Sequence, residues 1–253
     1  MLSIDINCDI GESTSLWPYN IEQDTSLLQY VSSINIACGY HAGDPDTTLH
    51  LIQAAIKQHI AVGAHFPFPD RENFGRKEMY MDEKDLYRIV YQQVEFLAGF
   101  ALSNGIKIQH VKPHGALYHM AANDHRMAFI VCSAIQSYDD ELMIYGLSGS
   151  ELIQVADCMG MRSCSEVFAD RTYHDDGNLT PRTKSIALVQ DKTRVLRQVL
   201  EIIKQGKVTS TNGTQINVKA ETICIHSDGQ HVLEFAKMIH ETLQQLGIDI
   251  SHP

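Results

Sequence analysis

No lysine or arginine occurs before Lys57, although the same stretch holds seven Asp and Glu residues. The whole chain of 253 residues carries a net charge of −11. Nucleic acids and anionic membranes are bound by clustered basic side chains, so neither is an expected partner. The acidic amino-terminal stretch reads as a solvated face, with a cation site or a basic partner as the sharper reading. No CxxC pair occurs among the six cysteines. Cys8, Cys38, Cys164 and Cys224 lie in apolar strand-like runs and Cys132 in a helical pattern, which points to reduced core thiols and not to a disulfide framework. No apolar run approaches the length of about 20 residues that a membrane helix needs. The opening MLSIDINCDIGE lacks a basic segment and reads as a strand from the start, so a cytoplasmic protein is expected. Linkers, repeats and low-complexity tracts are also missing, which favours one domain over residues 1–253. Composition excludes disorder, with 44% hydrophobic residues against 20% charged.

What is present is alternation. Strand-like runs fall at residues 3–9, 33–39, 61–65, 108–113, 142–147, 162–168 and 222–226, seven in all, with helical patterns between them. Asp44 followed by Pro45 opens one helix, with Leu49, Ile52 and Ile56 on its apolar face. Asp82 opens a longer one carrying Leu86, Ile89, Val90, Val94, Leu97 and Ala101, closed by Gly105. Val232, Phe235, Ala236, Ile239, Leu243 and Leu246 form a third stripe that stops at Gly247. Strands separated by helices imply parallel pairing through right-handed crossovers. Asn212-Gly213 inside residues 208–218 signals an inserted β-hairpin. Polar residues end nearly every strand, and neither GxGxxG nor GxxxxGK[ST] is present. That pattern favours a closed (β/α) barrel over an open nucleotide-binding sheet.

The chemistry-bearing residues gather at the strand ends. Four histidines, His41, His65, His114 and His226, each stand where an apolar run gives way to a loop, and histidine is readily tuned for proton transfer or metal ligation. In DINCDIGES a two-residue period puts Asp5, Asn7 and Asp9 on one face and Ile4, Ile6, Cys8 and Ile10 on the other. A carboxylate inside a barrel must be paired or functional. Glu12 follows in the loop. Lys112 and His114 share one side of the fourth strand. A lysine there balances carboxylates, holds a substrate carboxylate, or carries a proton if its pKa falls. EVFADR supplies Glu166, Asp170 and Arg171, FGR supplies Arg76, and SDG supplies Asp228. For both arginines a substrate-carboxylate clamp and a surface salt bridge stand side by side. Small residues beneath the histidines (Ala37, Gly39, Gly63) suggest room for a ligand. Asp9, His41 and His65 would suit an open metal site, although no HExxH-type signature supports one.

Taken together, DINCDIGES, NIACGYHAGD, GAH…PDRENFGR, VKPHGALYHMAA, GLSGSEL, EVFADRTYHDDG and TICIHSDG resemble the LamB/YcsF lactam-utilisation family, in order and over most of the chain. The resemblance implies a seven-stranded, TIM-like barrel of the glycoside hydrolase/deacetylase superfamily. It implies the role of the A subunit in an ATP-dependent 5-oxoprolinase, which opens 5-oxo-L-proline to L-glutamate while ATP becomes ADP and phosphate. This chain has no recognisable phosphate loop, and the resemblance implies that partner subunits B and C handle ATP and activation while this chain completes ring opening. Asp9 or His65 would activate water, Lys112 or His114 would stabilise the lactam oxygen or protonate the nitrogen, and Arg76 or Arg171 would hold the carboxylate. The chain departs from the family's pattern at Thr14-Ser15, at Phe66 after His65, and in lacking a glycine near Ser185. The alternative readings are a stand-alone metal-dependent amidase or carbohydrate deacetylase, and a non-catalytic regulatory protein of the complex.

Overall fold

Alternation along SIDINCDI sets the architecture. In the computed structural model, which describes residues 2–14, 19–226 and 231–253, strand β1 (Ser3–Ile10) turns Ile4, Ile6, Cys8 and Ile10 into the core shared with the helices. Asp5, Asn7 and Asp9 face the opposite way and are buried as well. Parallel strands β2 (Ser33–Ala37), β3 (Ala61–Phe66), β4 (His110–Pro113), β5 (Met143–Leu147) and β6 (Ser163–Phe168) follow side by side. The hairpin β7 (Lys207–Thr209) and β8 (Gln215–Asn217) pairs antiparallel as a separate two-stranded sheet, as Asn212-Gly213 leads one to expect. Strand β9 (Thr222–His226) then pairs with both β6 and β1 and closes a barrel of seven parallel strands.

Several boundaries differ from the sequence expectation. β2 ends at Ala37 because Gly39 takes φ 92° and its N–H bonds back to the Ala42 carbonyl, so His41 lies in a turn. A short strand β10 (Asp249–Ile250), not expected, extends β1 at Ser3 and Ile4.

The crossover segments are α1 (Ile21–Leu27) and α2 (Pro45–Gln58) after the first two strands, and α3 (Glu83–Ser103) after the third. Then come α4 (Gly115–Asn123), α5 (His125–Tyr138), α6 (Glu151–Cys158), α7 (Lys192–Gln205) and α8 (Val232–Gln245). Asp44 caps α2 by accepting from the Thr47 N–H, and Asp82 caps α3 through the Lys84 N–H. The buried face of α2 is Thr48, Leu51, Ile52 and Ala55, one step round from the expected stripe, and Leu49 is exposed. That face is fixed by the loop after β1: a Cβ at Gly11 would sit 3.0 Å from Leu51 Cδ1. On α3 the expected residues are all buried, and on α8 all but Leu246. No helix among the described residues is long and apolar enough to cross a membrane.

The barrel interior is filled with polar side chains in layers. At the bottom, Asp5 accepts from Ser32, Ser33, Thr222 and Tyr145 at 2.5–3.1 Å. Above it His110 stacks on Tyr145, ring centroids 4.1 Å apart, and shares a hydrogen bond with Asn35 at 2.8 Å. His110 also occupies the space over Gly63, where an added Cβ would lie 2.2 Å from its Nε2. The room expected beneath His65 is therefore taken by protein, not left for a ligand. Gly63→Ala must displace this ring in a close-packed layer. Overpacking of this kind costs about 1–3 kcal/mol, so thermal unfolding should show a Tm lower by about 2–10 °C; an unchanged Tm would contradict the wedge.

Candidate active site

Lys112 ties the middle of the barrel together. Its Nζ lies 2.7 Å from Glu166 Oε1, 2.9 Å from Asp9 Oδ1, 3.3 Å from Asn7 Oδ1 and 3.2 Å from Cys224 Sγ. An ammonium has three hydrogens, and here all are committed. Burial alone would lower the lysine pKa, but the carboxylates Asp9 and Glu166 hold it well above the ordinary value. For Asp9, burial pushes the carboxyl up while His65 and Lys112 outweigh it and keep it well below the usual range. Lys112 is thus placed as a cation that balances carboxylates, the first of the three roles expected of it. Glu166 is equally tied: Asn7 Nδ2 donates to Oε1 at 2.9 Å and Tyr118 Oη to Oε2 at 2.7 Å. Asn35 Nδ2 completes the layer by donating to Asn7 Oδ1 at 2.7 Å and Asp9 Oδ1 at 2.8 Å.

Above this lattice three of the four strand-end histidines meet. His65 Nε2 is 3.4 Å from Asp9 Oδ2 and 2.9 Å from His114 Nδ1. The far nitrogens face carbonyls: His65 Nδ1 the Lys112 oxygen at 3.1 Å, His114 Nε2 the Phe74 oxygen at 2.9 Å. Carbonyls only accept, so both far nitrogens carry hydrogen. A proton taken up by the pair would lie between the two near nitrogens, which otherwise oppose lone pair to lone pair. Asp9 and Glu12, with Glu12 Oε1 3.2 Å from His114 Nδ1 and 3.9 Å from His65 Nε2, supply the balancing charge. Burial, reinforced by His41 and His65, keeps His114 itself well below the ordinary imidazole range. His41 stacks on His114 at 3.9 Å between centroids and contacts Glu12 Oε1 at 3.2 Å.

Backbone geometry holds this cluster. Phe74 has φ 56°, a left-handed conformation rare for a bulky residue, and this turns its carbonyl to His114. Its ring edge meets His41 and His114 at 5.3 and 5.4 Å. Gly115 is needed beside it, since a Cβ there would fall 2.4 Å from the Gly75 oxygen.

A cavity of about 600 Å³ opens over these groups, and its lining includes Asp9, Glu12, His65, Lys112 and His114 together with Arg171 and His226. Asn7 and Glu166 lie below it and His41 behind His114, whereas Arg76 stands exposed at the mouth with its guanidinium 4.8 Å from the Phe74 ring centroid. His226 is separate from the other three histidines. It bonds Asp170 at 3.0 Å and stacks on Phe168. Although burial raises it, Asp170 is held below the usual carboxylate range, chiefly by His226. Asp228 lies outside the described residues. Sequence reasoning did not assign Tyr118, Phe74, Asn35, His110 or Arg182 to the site. Asn35 was visible on the inward face of its strand, and Tyr118 one helical turn after His114; nothing local marked the others.

The chain matches the LamB/YcsF family over residues 4–253. The A subunit of a 5-oxoprolinase from Tolumonas auensis is 45% identical over 99% of both chains. This chain belongs to the LamB/YcsF family. The crystal structure of a lactam utilization protein from Thermus thermophilus superposes with TM-score 0.90 at 34% identity, covering 100% of each chain. A family 4 carbohydrate esterase from Streptomyces lividans shares the fold alone, with TM-score 0.50 and 12% identity over 98% of this chain and 91% of its own.

In this LamB/YcsF chain the departure at Phe66 is remote from the cavity: its side chain is fully buried in the helix-facing core. Ser15 lies outside the described residues. Metal donors converge differently from the expected Asp9, His41 and His65. Glu12, His41 and His114 form one group and Asp9, Cys224 and His226 another. The second already contains the Lys112 ammonium, and burial keeps the Cys224 thiol protonated, so a cation does not fit there. The first suits a divalent ion by donor type, with His114 oriented by a carbonyl as metal-bound histidines are.

Lys112→Met should separate these electrostatic roles. Removing one partner of a buried pair costs about 3–5 kcal/mol. In the native protein the stability due to Asp9 is present above its unfolded pKa of about 3.9 and is lost as pH falls through the lower folded value. In Lys112→Met, Asp9 is buried without this cation, so its pKa rises and stability increases as pH falls from 7 toward 5. Urea unfolding at several pH values reads this directly; parallel pH profiles for the two proteins would contradict it.

Proposed function

We propose that this chain is the ring-opening component of an ATP-dependent 5-oxoprolinase, converting 5-oxo-L-proline to L-glutamate. One observation carries the reading: an ionised carboxylate, an imidazole pair in hydrogen-bond contact and a second carboxylate converge on one cavity in a chain that aligns end to end with a 5-oxoprolinase component. An unactivated lactam is a poor electrophile, and coupling to ATP at the amide oxygen would overcome this. The chain has no phosphate loop, so subunits B and C supply activation. The ATP requirement fits a cytoplasmic protein acting as one barrel domain over residues 1–253.

The roles follow from the proton inventory. Glu12 at the mouth, not tied to a lysine, takes a proton from the attacking water. The His65–His114 pair gives its shared proton to the departing lactam nitrogen. Asp9 stays ionised and stabilises the imidazolium, and Lys112 fixes Asp9 from below. Arg76, at the mouth, meets the substrate carboxylate.

The deciding experiment measures ATP-dependent glutamate formation from 5-oxoproline by the partner subunits, with this chain present or omitted. Omission should abolish turnover, and Glu12→Gln or His114→Gln should lower it about 10²-fold or more. Turnover without this chain, or full activity in both variants, would sink the reading. A metal-dependent amidase or deacetylase is the second reading, favoured by the donors Glu12, His41 and His114. An ion there would polarise the scissile carbonyl or a water. It predicts a stoichiometric divalent metal in the purified protein and amide hydrolysis without ATP.

A further inference from the structure

Arg171 is a buried cation that makes no direct salt bridge among the described residues. It is 2% exposed, among the largest fully enclosed side chains, yet it lines the cavity. Its Nη2 donates to the Thr180 carbonyl at 2.7 Å, while its Nε has no partner among the described residues. The neighbouring carboxylate, Asp170, offsets part of this charge at longer range, but its direct contact is with His226. A buried charge balanced only in part is costly, and proteins retain one where an ion of opposite sign arrives. Burial and the nearby Arg182 lower Arg171 only to about 10, so it stays charged at neutral pH. Burial and the same two guanidinium groups push His119 on this wall down to about 4. Positive potential is therefore concentrated around Arg171, Arg182 and His119.

The wall is built, not improvised. The Arg171 backbone pairs with Leu188 across the loop, and its carbonyl accepts from Gln198 Nε2 at 2.8 Å. Thr172 Oγ1 locks the same loop through Thr180 Oγ1 at 2.8 Å and the Ile186 carbonyl at 2.9 Å. A cavity of about 600 Å³ exceeds what a single five-membered lactam requires. We infer that Arg171, with Arg182 on the same wall, forms an oxyanion subsite for a phosphoryl group carried on the substrate or released from it. This rests on the ring-opening reading for its substrate, and the planar guanidinium fork suits such a group. The imidazole cluster is left to the proton chemistry.

Inorganic phosphate titrated into the isolated chain tests the subsite without partner subunits or turnover. Calorimetry or ³¹P NMR should show saturable binding at one site. Arg171→Lys and Arg182→Gln should each weaken it about tenfold or more, with circular dichroism and Tm confirming the fold. Arg182 is half-buried, so its substitution keeps the test valid if Arg171→Lys fails to fold. Acetate and L-glutamate should compete poorly. Absence of saturable binding, equal binding in both variants, or displacement by acetate as effective as by phosphate would overturn the subsite. Phosphate binding without lactam opening would instead remove the ring-opening reading and leave the subsite standing. Lactam opening without phosphate binding would do the reverse.

Discussion

The ammonium of Lys112, held between Asp9 and Glu166, is the contact on which the site depends. Each partner comes from a different strand, and each is almost wholly removed from water. Separately, such charges would be neutralised or would open the barrel. Together they form a polar lattice that Asn7, Asn35 and Tyr118 complete. Because Asp9 is thereby kept ionised, its second oxygen can face His65, and a proton taken up between His65 and His114 would have a charge to answer.

The same lattice explains a division of labour across the barrel. Below it, hydroxyl groups satisfy Asp5, whose carboxyl burial raises above its ordinary value even so. That layer is structural. Above it, groups are less completely satisfied and sit beside a cavity, which is the condition for chemistry. The left-handed Phe74 and the close approach at Gly115 lie on this upper side, where backbone strain is commonly stored.

Much of the fold was legible because two simple periods carry it. A period of two put Asp5, Asn7 and Asp9 inside, and alternating strand and helix patterns led to seven strands and a closed barrel. The α2 stripe was misread because its buried face is chosen by packing on the Gly11 loop, a contact distant in sequence. For the site, the residue types and strand ends were readable but the partners were not. Nothing local says that His226 pairs with Asp170 while His65 pairs with His114, or that His110 fills the space over Gly63. Lys112 kept three possible roles until Glu166, two strands away, was seen to share its ammonium.

The central claim is that Lys112 stays a charged structural cation while proton traffic belongs to the imidazoles above it. The ¹⁵Nζ resonance of Lys112 in lysine-labelled protein reports its charge state directly as pH is raised from 6 to 9. The account predicts an ammonium shift throughout, unchanged across the range. A transition to the neutral-amine shift within that range would contradict it.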